Sequence, residues 1–323
     1  MTTRRSMLLA GGIGLLVAPR LSRGQPKSKT PRIGFVWGGS MGNPELMKSR
    51  SAFLERISAL GYVEGKSILI EERFAEGHPE RRGELARELV ASRVDIIVTP
   101  SVVASTAARQ ATSTIPIVMV HAGDPVGAGL IASLARPGGN VTGTTNLSLG
   151  GKQVELIREL IPHAVKLAML VNPSNAGTRP YVADATETCR RLNCGITVAE
   201  VTRDEDFPSA FVTIRNMGSD ALLVMDEQLI GKHRAEVIGF AATARLPACY
   251  GPADMVRDGG LVCYGPLLLE HYVMAAGYVD RILKGAKPAD LPVEQPTRFE
   301  LVINFEDSQS ARFDHPRITP YAC

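Results

Sequence analysis

The sequence predicts an α/β protein built of two Rossmann-like lobes with a ligand cleft between them. Short, buried strand-like runs alternate with helix-like stretches along the chain, which is typical of parallel sheets covered by helices on both faces. The second half also repeats the plan of the first, because residues 95–98 and 220–224 are both apolar runs that open with aspartate after a helix-like stretch. Two lobes of this kind fit the usual size of a domain.

The first half begins with a buried strand over Arg32–Trp37 that ends in Gly38 and Gly39. Pro44 then stands where the first turn of a helix tolerates proline, and Gly61 ends that helix. The other elements predicted in this half are strands over residues 67–72, 95–99 and 117–120, a helix over residues 79–92 and a helix from about residue 101.

The second half follows the same alternation. Its predicted strands cover residues 167–171, 196–201, 221–225 and 247–250, and its helices cover residues 178–192, 207–217 and 233–245. Residues 137–151 are rich in glycine, threonine and asparagine and lack a helical period, so we expect a hinge there. A helix around residues 267–283 would return the chain to the first lobe. The predicted lobes are residues 31–146 with 266–296, and residues 147–265 with 297–323.

The N-terminal segment has the three parts of an export signal. Arg4 and Arg5 form a basic start, residues 7–18 are an apolar run, and Ser22-Arg23-Gly24 is a small-residue end. The apolar run is shorter than the about 20 residues that cross a membrane as a helix. We predict that residues 1–24 are a signal peptide and that the mature protein is periplasmic. The paired arginines leave both the general and the twin-arginine route open.

The basic balance of the full chain belongs to this segment. The chain has 36 Lys and Arg against 33 Asp and Glu. Four of the arginines and none of the acidic residues lie within residues 1–24, so the mature chain carries one acidic residue more than basic ones. A nucleic-acid-binding protein would carry its basic excess in the folded part, so we expect no nucleic-acid partner.

The cysteines give no metal or redox signature. They stand at positions 189, 194, 249, 263 and 323. The spacing of Cys189 and Cys194 fits neither CxxC nor a zinc site, so we expect no metal and no cofactor. Cys249 and Cys263 fall in neighbouring strand-like runs where a disulfide is conceivable, although we expect buried free thiols. The sequence leaves open whether any cysteines pair.

Candidate ligand-binding residues follow from the strand ends. In open α/β sheets, ligands bind beyond the carboxyl ends of the strands, where loops and helix N-termini converge. The residues at those positions are Trp37, Gly38, Ser40, Thr99, Ser101, Asp124 and Pro125 in the first lobe, and Asn172, Asp226 and Tyr250 in the second.

These residue types suit a zwitterion with an apolar body. The helix start and hydroxyl at Ser101 would hold a carboxylate, and Asp226 would accept from an ammonium group. Trp37 or Tyr250 would stack on the apolar body. Each has a purely structural alternative: Thr99, Ser101 and Asp226 as helix caps, Asp124 as a turn former and Trp37 as a core residue.

Residues 38–42 match the G-x-S-x-G pattern that carries the nucleophile of α/β-hydrolases. In that motif the helix begins directly after the serine, whereas here Gly42-Asn43-Pro44 intervenes and no histidine stands out by its context. A serine hydrolase using Ser40 is therefore the lesser alternative, and we expect no catalytic residue. No strand is followed by G-x-G-x-x-G, which argues against a dinucleotide site.

Long ordered strings between residue 31 and about residue 305 carry a family resemblance. They include Gly61-Tyr62-Val63-Glu64-Gly65, Gly123-Asp124-Pro125-Val126-Gly127, Arg136-Pro137-Gly138-Gly139-Asn140-Val141-Thr142-Gly143, Tyr264-Gly265-Pro266 and Leu283-Lys284-Gly285-Ala286-Lys287-Pro288-Ala289-Asp290-Leu291-Pro292-Val293-Glu294-Gln295-Pro296. On these strings the chain resembles ABC-transporter substrate-binding proteins whose best-known members bind tryptophan or related amino acids.

The resemblance implies a type I periplasmic-binding-protein fold, with a small organic ligand, an amino acid or a related compound, held between the lobes. It also implies a membrane permease of an ABC transporter as partner, and we expect a monomer. A ligand-sensing regulatory domain of the same fold would need a DNA-binding helix pair in front, where residues 1–30 supply a signal instead. Residues 306–323 depart from the family's usual apolar helical end, so their role stays open.

Overall fold

A computed structural model describes residues 29–146 and 148–304 of the chain. Strands and helices alternate through this part and form two separate sheets. The predicted two-lobed α/β fold is therefore confirmed. The predicted signal peptide over residues 1–24 and the divergent tail over residues 306–323 lie outside the described residues.

The first sheet has five parallel strands in the order β2-β1-β3-β4-β5. The strands are β1 (Arg32–Trp37), β2 (Leu69–Phe74), β3 (Ile96–Pro100), β4 (Ile117–Ala122) and β5 (Val141–Thr145). The helices between them are α1 (Pro44–Ala59), α2 (Arg82–Ala91) and α3 (Val102–Ala111). Helix α1 starts as the sequence predicts, with Pro44 in its first turn and the Asn43 side chain accepting hydrogen bonds from two backbone N–H groups.

The second sheet has six strands in the order β11-β10-β9-β8-β6-β7, and only the β10–β11 pair is antiparallel. The strands are β6 (Lys166–Val171), β7 (Gly195–Glu200), β8 (Ala221–Val224), β9 (Ala248–Tyr250), β10 (Val262–Pro266) and β11 (Phe299–Ile303). The helices of this half are α4 (Gly150–Leu160), α5 (Thr178–Arg191), α6 (Phe207–Asn216), α7 (Gln228–Lys232), α8 (Arg234–Thr243) and α9 (Ala253–Arg257).

The chain passes between the two sheets three times. It leaves the first sheet after β5, returns after β10 into α10 (Leu268–Leu283), and leaves again before β11. Helix α10 packs on α1, β4 and β5 of the first sheet, and Glu294 forms a bridge with Thr144 of β5. We propose that the two lobes are divided as the sequence predicts, and that these three passages connect them.

The predicted hinge at residues 137–151 is too long. Its middle forms β5, an edge strand of the first sheet, so the passage is confined to the few residues between Thr145 and Gly150. The threonines that suggested a loop here favour extended backbone through their branched Cβ. Gly143 is required in this strand, because its φ is 130° and a Cβ atom would lie 2.0 Å from the carbonyl oxygen of Met119.

Helices cover both faces of the first sheet. Alternate residues of β1 show the layers: Ile33, Phe35 and Trp37 pack with α1 and α10, while Val36 packs with α2 and α3. The second sheet has a larger core of its own around β6 and β8. No helix of the described residues is long and apolar enough to cross a membrane.

Cys189 and Cys194 form a disulfide, a pairing that the sequence left open. Helix α5 ends beside Leu192, and Asn193 follows with a φ of 53°, which reverses the chain. The backbone N–H of Cys194 then donates to the Cys189 carbonyl at 2.9 Å, and the two Cα atoms lie 4.8 Å apart. This separation suits a disulfide. Cys249 and Cys263 are buried free thiols, as predicted.

We expect the double substitution Cys189→Ala with Cys194→Ala to lower the free energy of unfolding by about 2 kcal/mol, because the bond closes a short loop in the unfolded chain. Urea denaturation followed by circular dichroism measures this. A reductant should shift the wild-type midpoint and leave that of the double variant unchanged, since Cys249 and Cys263 are free in both. Equal midpoints for the oxidised wild type and the double variant would contradict the expectation.

Candidate functional site

A cleft of about 1410 Å³ lies where the strand ends of the two sheets face each other. Both sheets and the three passages between them contribute to its walls. Seven of the ten residues predicted from strand ends line it: Trp37, Gly38, Ser40, Ser101, Asp124, Pro125 and Asp226. The rule that ligands bind beyond the carboxyl ends of parallel strands therefore locates this cleft from sequence.

The other three predicted residues, Thr99, Asn172 and Tyr250, are not part of the cleft wall. Thr99 is completely buried and shares a 2.8 Å hydrogen bond with Ser105 at the start of α3. Asn172 accepts from the backbone N–H of Ser174 and so stabilises the turn after β6. Tyr250 is buried in the core of the second sheet. Each of the three lies within one residue of the end of a strand, which is why a prediction from strand ends included them.

Trp37 is a core residue, so the expectation that it stacks on a ligand is wrong for this arrangement. Its ring lies between Phe35 and Tyr272, with centroid distances of 4.9 and 5.7 Å, and only 1% of the residue is exposed. The indole N–H donates to Glu72 at 2.9 Å. Both faces and the polar atom of the indole are thereby occupied by protein.

Ser101 lies at the N-terminus of α3, as predicted. Its hydroxyl accepts from the backbone N–H of Ala104 at 3.4 Å, a long contact that leaves the oxygen available to other donors and acceptors. Its backbone has a φ of 81°, which is unusual for a residue other than glycine. The residue is half-buried in the cleft wall, where the helix presents backbone N–H groups and partial positive charge.

Asp226 follows β8, and its side chain is exposed to solvent in the cleft. Loss of bulk water and, to a smaller extent, the nearby carboxylates of Asp254 and Glu227 together raise the pKa of its carboxyl to about 6. No hydrogen bond or ion pair engages its carboxyl group among the described residues. Glu227, not Asp226, caps the following helix α7, accepting from the N–H of Leu229 at 2.8 Å.

Asp124 and Ser40 line the cleft with mainly local roles. The Asp124 carboxylate accepts from the N–H of Gly127 at 2.8 Å and so stabilises its own turn. The Ser40 carbonyl accepts from the N–H of Asn43, and α1 starts only at Pro44. Ser40 has no hydrogen bond to a histidine among the described residues.

Several cleft residues were not among those predicted from the strand ends, because they lie in helices or in the segments that connect the lobes. Tyr181 of α5 donates to Gln153 of α4 at 2.5 Å, and Gln153 donates to the Tyr264 carbonyl at 3.3 Å. Three other cleft residues, Asn146, Asp254 and Glu270, each have a buried side-chain oxygen without a hydrogen-bond partner. Glu270, an acidic residue near the start of the helix predicted around residues 267–283, was the only one of these residues that the sequence could have indicated.

The lobes touch at two places around the cleft. A Cβ atom on Gly123, after β4, would lie 3.3 Å from the Cα of Gly177, which precedes α5, so two backbones meet there without side chains. On another side, buried Arg82 of α2 donates to the side-chain oxygen of Gln228 of α7. A side chain on Gly38 would collide with both of these groups. Glycines at positions 38, 123 and 177 thus leave room for both contacts between the lobes.

No cluster of three or more histidine, cysteine or carboxylate side chains suited to a metal occurs within the described residues.

A family model described as ABC transporter substrate binding protein matches residues 40–312. A tyrosine-binding protein of Clostridioides difficile is 28% identical over 270 residues, which are 83% of this chain and 77% of that protein. Substrate-binding proteins of ABC transporters act outside the cytoplasm, where they bind small ligands and deliver them to permeases. The family model describes neither a hydrolase nor a regulatory domain.

Two solved structures superpose closely on the described fold. A conserved domain protein from Vibrio cholerae is 28% identical, and an ABC domain in complex with L-Trp from Streptococcus pneumoniae is 25% identical. Each has a TM-score of 0.84 and covers 90% of this chain and 97% of its own. A ligand-free, open substrate-binding protein from Clostridium difficile, 23% identical, has a lower TM-score of 0.69 over 89% of this chain and 97% of its own.

We expect Gly177→Leu to hold the lobes apart, because its side chain would occupy the space of the Gly123 backbone. Small-angle X-ray scattering of the variant should give a larger radius of gyration than that of the wild type. Gly42→Leu is the matched control, since a Cβ atom at Gly42 meets nothing within 4 Å. If both variants scatter like the wild type, the Gly123–Gly177 contact does not limit closure.

Proposed function

The chain belongs to the ABC transporter substrate-binding proteins, and we propose that it binds an amino acid or a closely related zwitterion in the cleft. In this scheme the second lobe binds the ammonium group and the first lobe binds the carboxylate. A zwitterion shared in this way stabilises the closed arrangement only through its better affinity for that state. The closed protein then delivers its ligand to a membrane permease.

The observation that carries the proposal is the unpartnered Asp226 carboxyl in the cleft. The protein around this solvent-exposed side chain raises its pKa to about 6, so the charged form is disfavoured when no cation is bound. An ammonium group placed against it would compensate the charge and form a charge-assisted hydrogen bond. The carboxylates of Asp254 and Glu227 lie nearby, and the guanidinium of Arg234, 3.7 Å from Asp254, compensates part of their charge.

The other unpartnered atoms favour the same kind of ligand. The buried oxygens of Asn146, Asp254 and Glu270 are all hydrogen-bond acceptors. Buried polar groups in native proteins nearly always have partners, so acceptors left free around a cleft favour a ligand that brings N–H or O–H donors. An α-ammonium group brings three such donors.

The first lobe offers the complementary end. Ser101 and the N-terminus of α3, a helix of ten residues, face the cleft with a hydroxyl and backbone N–H groups. These groups suit a carboxylate, which is attracted to the partial positive charge of a helix start. Leu268, Leu269 and Val273 add an apolar rim, with between 38% and 42% of each side chain exposed. We therefore propose an apolar or aromatic amino acid, as in the tyrosine-binding and L-Trp-bound relatives.

We expect Asp226→Asn to weaken the binding of L-tyrosine or L-tryptophan about tenfold to a hundredfold, as for loss of one charge-assisted hydrogen bond. Isothermal titration calorimetry measures this, with Asp290→Asn as the same change outside the cleft. Wild-type affinity should fall as the pH drops below about 6, because protonation removes the Asp226 charge. The Asn variant should lack that dependence.

The ligand-free proteins provide a second readout. The folded pKa of Asp226 is above its unfolded value, so its stabilising contribution is present at low pH and is lost as the pH rises through about 6. At pH 7 the ligand-free Asn variant should therefore unfold at the same or a higher temperature than the wild type. Unchanged affinity in a folded Asp226→Asn variant would reduce Asp226 to a structural residue and contradict the proposed ammonium site.

We also propose that the protein is periplasmic, monomeric and not an enzyme, with no nucleic-acid partner. The sequence pattern of residues 1–24 and the near-neutral mature chain support the first and last of these points. The absence of a hydrogen-bonded histidine at Ser40 among the described residues supports the third. Stoichiometric labelling of Ser40 by a fluorophosphonate would contradict it.

Export is expected to shorten the chain at its N-terminus. Cell fractionation with mass spectrometry of the N-terminus should find a periplasmic protein that begins near residue 25. Replacing Arg4 and Arg5 by Lys should abolish export if the route is the twin-arginine one and should leave general export nearly unchanged. Full-length protein recovered from the cytoplasm of wild-type cells would contradict the export proposal.

A further inference from the structure

His121 lies in a β-bulge at the cleft end of β4. The register with β5 pairs Met119 with Gly143 but Ala122 with Thr145, so β4 holds one residue more than its partner between these pairs. Bulges of this kind re-aim a side chain and are frequent beside functional sites. His121 is one of the residues that line the cleft.

Thr144 of β5 stabilises this bulge. The backbone N–H of His121 donates to the Thr144 hydroxyl at 3.0 Å, which replaces the ladder hydrogen bond that the bulge removes. The same hydroxyl is 2.9 Å from Nδ1 of His271, a completely buried residue of α10. The rings of His121 and His271 meet edge to face with their centroids 6.1 Å apart. A backbone hydrogen bond to Thr144 and a ring contact with His271 therefore both hold His121 in place.

The backbone of His121 has a positive φ, which is unusual for a residue other than glycine. Seven described residues other than glycine have a positive φ, and Arg93, Asn193 and Arg245 among them follow helix ends, where this conformation is common. The remaining four, Glu76, Ser101, His121 and Asp124, all line the cleft. Residues in such conformations cluster at binding sites, where the surrounding structure imposes them.

His121 is the neighbour of Ser101 across the sheet. Pro100 pairs with Val120, and the backbone N–H of Ser101 donates to the Val120 carbonyl at 3.0 Å. The two residues therefore leave adjacent strands at the same level of the cleft wall. No hydrogen bond joins the His121 ring to another described residue.

The ring is neutral at physiological pH. Burial lowers the pKa of His121 to about 4, an effect that its own backbone carbonyl only partly opposes. Burial, followed by the proximity of His121, likewise lowers the pKa of His271 to about 3. A neutral imidazole carries one N–H donor and one acceptor. The cleft wall beside Ser101 therefore holds one hydrogen-bond donor, for which a ligand competes with the backbone carbonyl of His121 itself, and it adds no second fixed charge.

We propose that His121 is a ligand-contacting residue whose ring N–H donates a hydrogen bond to the ligand carboxylate beside Ser101. The proposal rests on the proposed function, since it assigns a partner to the carboxylate end of the same ligand. The carboxylate site of the first lobe then has two parts. The α3 N-terminus and Ser101 follow the end of β3, and the imidazole of His121 lies at the end of the adjacent strand β4. Thr144 and His271 are positioning residues that keep the ring at this place.

The test pairs a variant with a ligand that lacks the proposed acceptor. His121→Gly removes the ring and tolerates the positive φ, and His121→Phe removes the ring nitrogens while keeping an aromatic ring. Calorimetry would measure both variants and the wild type with L-tryptophan, L-tyrosine, benzoate and tryptamine. Tryptamine has the indole and ammonium of tryptophan without its carboxylate, and benzoate has a carboxylate without an ammonium group.

We expect each folded variant to bind L-tryptophan or L-tyrosine about tenfold or more weakly than the wild type, as for a hydrogen bond to a charged group. The affinity for tryptamine should be the same in variant and wild type. Equal loss for tryptophan and tryptamine, or no loss for either, would overturn the proposal for His121 while leaving amino-acid binding intact.

The remaining outcomes separate the two proposals. A wild type that binds benzoate but no amino acid would contradict the proposed ligand class, and loss of benzoate binding in the His121 variants would still support the carboxylate contact. A wild type that binds none of the four compounds would overturn both proposals. Circular dichroism of each variant confirms that a loss of affinity does not reflect unfolding.

Discussion

The close approach of the Gly123 and Gly177 backbones is the constraint on which the cleft depends. Two parallel sheets each direct their loops to one end, but a binding site arises only where these ends face each other at short range. A Cβ atom at Gly177 would lie 3.4 Å from the Cα of Gly123, so a larger side chain there would enter the other lobe. Around this contact, Ser101 and His121 of the first lobe and Asp226 of the second line the same cleft.

Several features of the cleft lower the stability of the folded protein when no ligand is bound. Asp226 has an unpaired carboxyl with a raised pKa, and three other residues of the cleft have buried oxygens without partners. Ser101 and His121 have backbone conformations that cost free energy in residues other than glycine. A ligand with a cationic and an anionic end would satisfy several of these groups at once. Ligand binding and closure of the lobes are then coupled, since the ligand favours the state in which both lobes contact it.

Much of this organisation could be predicted from the sequence. The alternation of apolar runs and helical stretches placed most strands, because burial in a parallel sheet requires continuous apolar residues. The strand-end rule then identified the cleft residues Ser101, Asp124 and Asp226. It could not separate them from Thr99, two residues before Ser101, or from Tyr250, which directly precedes the cleft residue Gly251. Whether a side chain at a strand end faces the core or the cleft depends on packing that a single run does not specify.

The sequence by itself determined the local chemistry: which segments become strands, where α1 begins, and which residue types stand at the strand ends. Only the tertiary structure decided how these residues combine. The bulge at His121 depends on the register between β4 and β5, the Cys189–Cys194 pair on the turn that Asn193 makes, and the Arg82–Gln228 contact on the docking of two lobes. Each joins residues whose distance is set by the packing of separate elements. Periodicity and propensity act within one element and therefore contain no information about such distances.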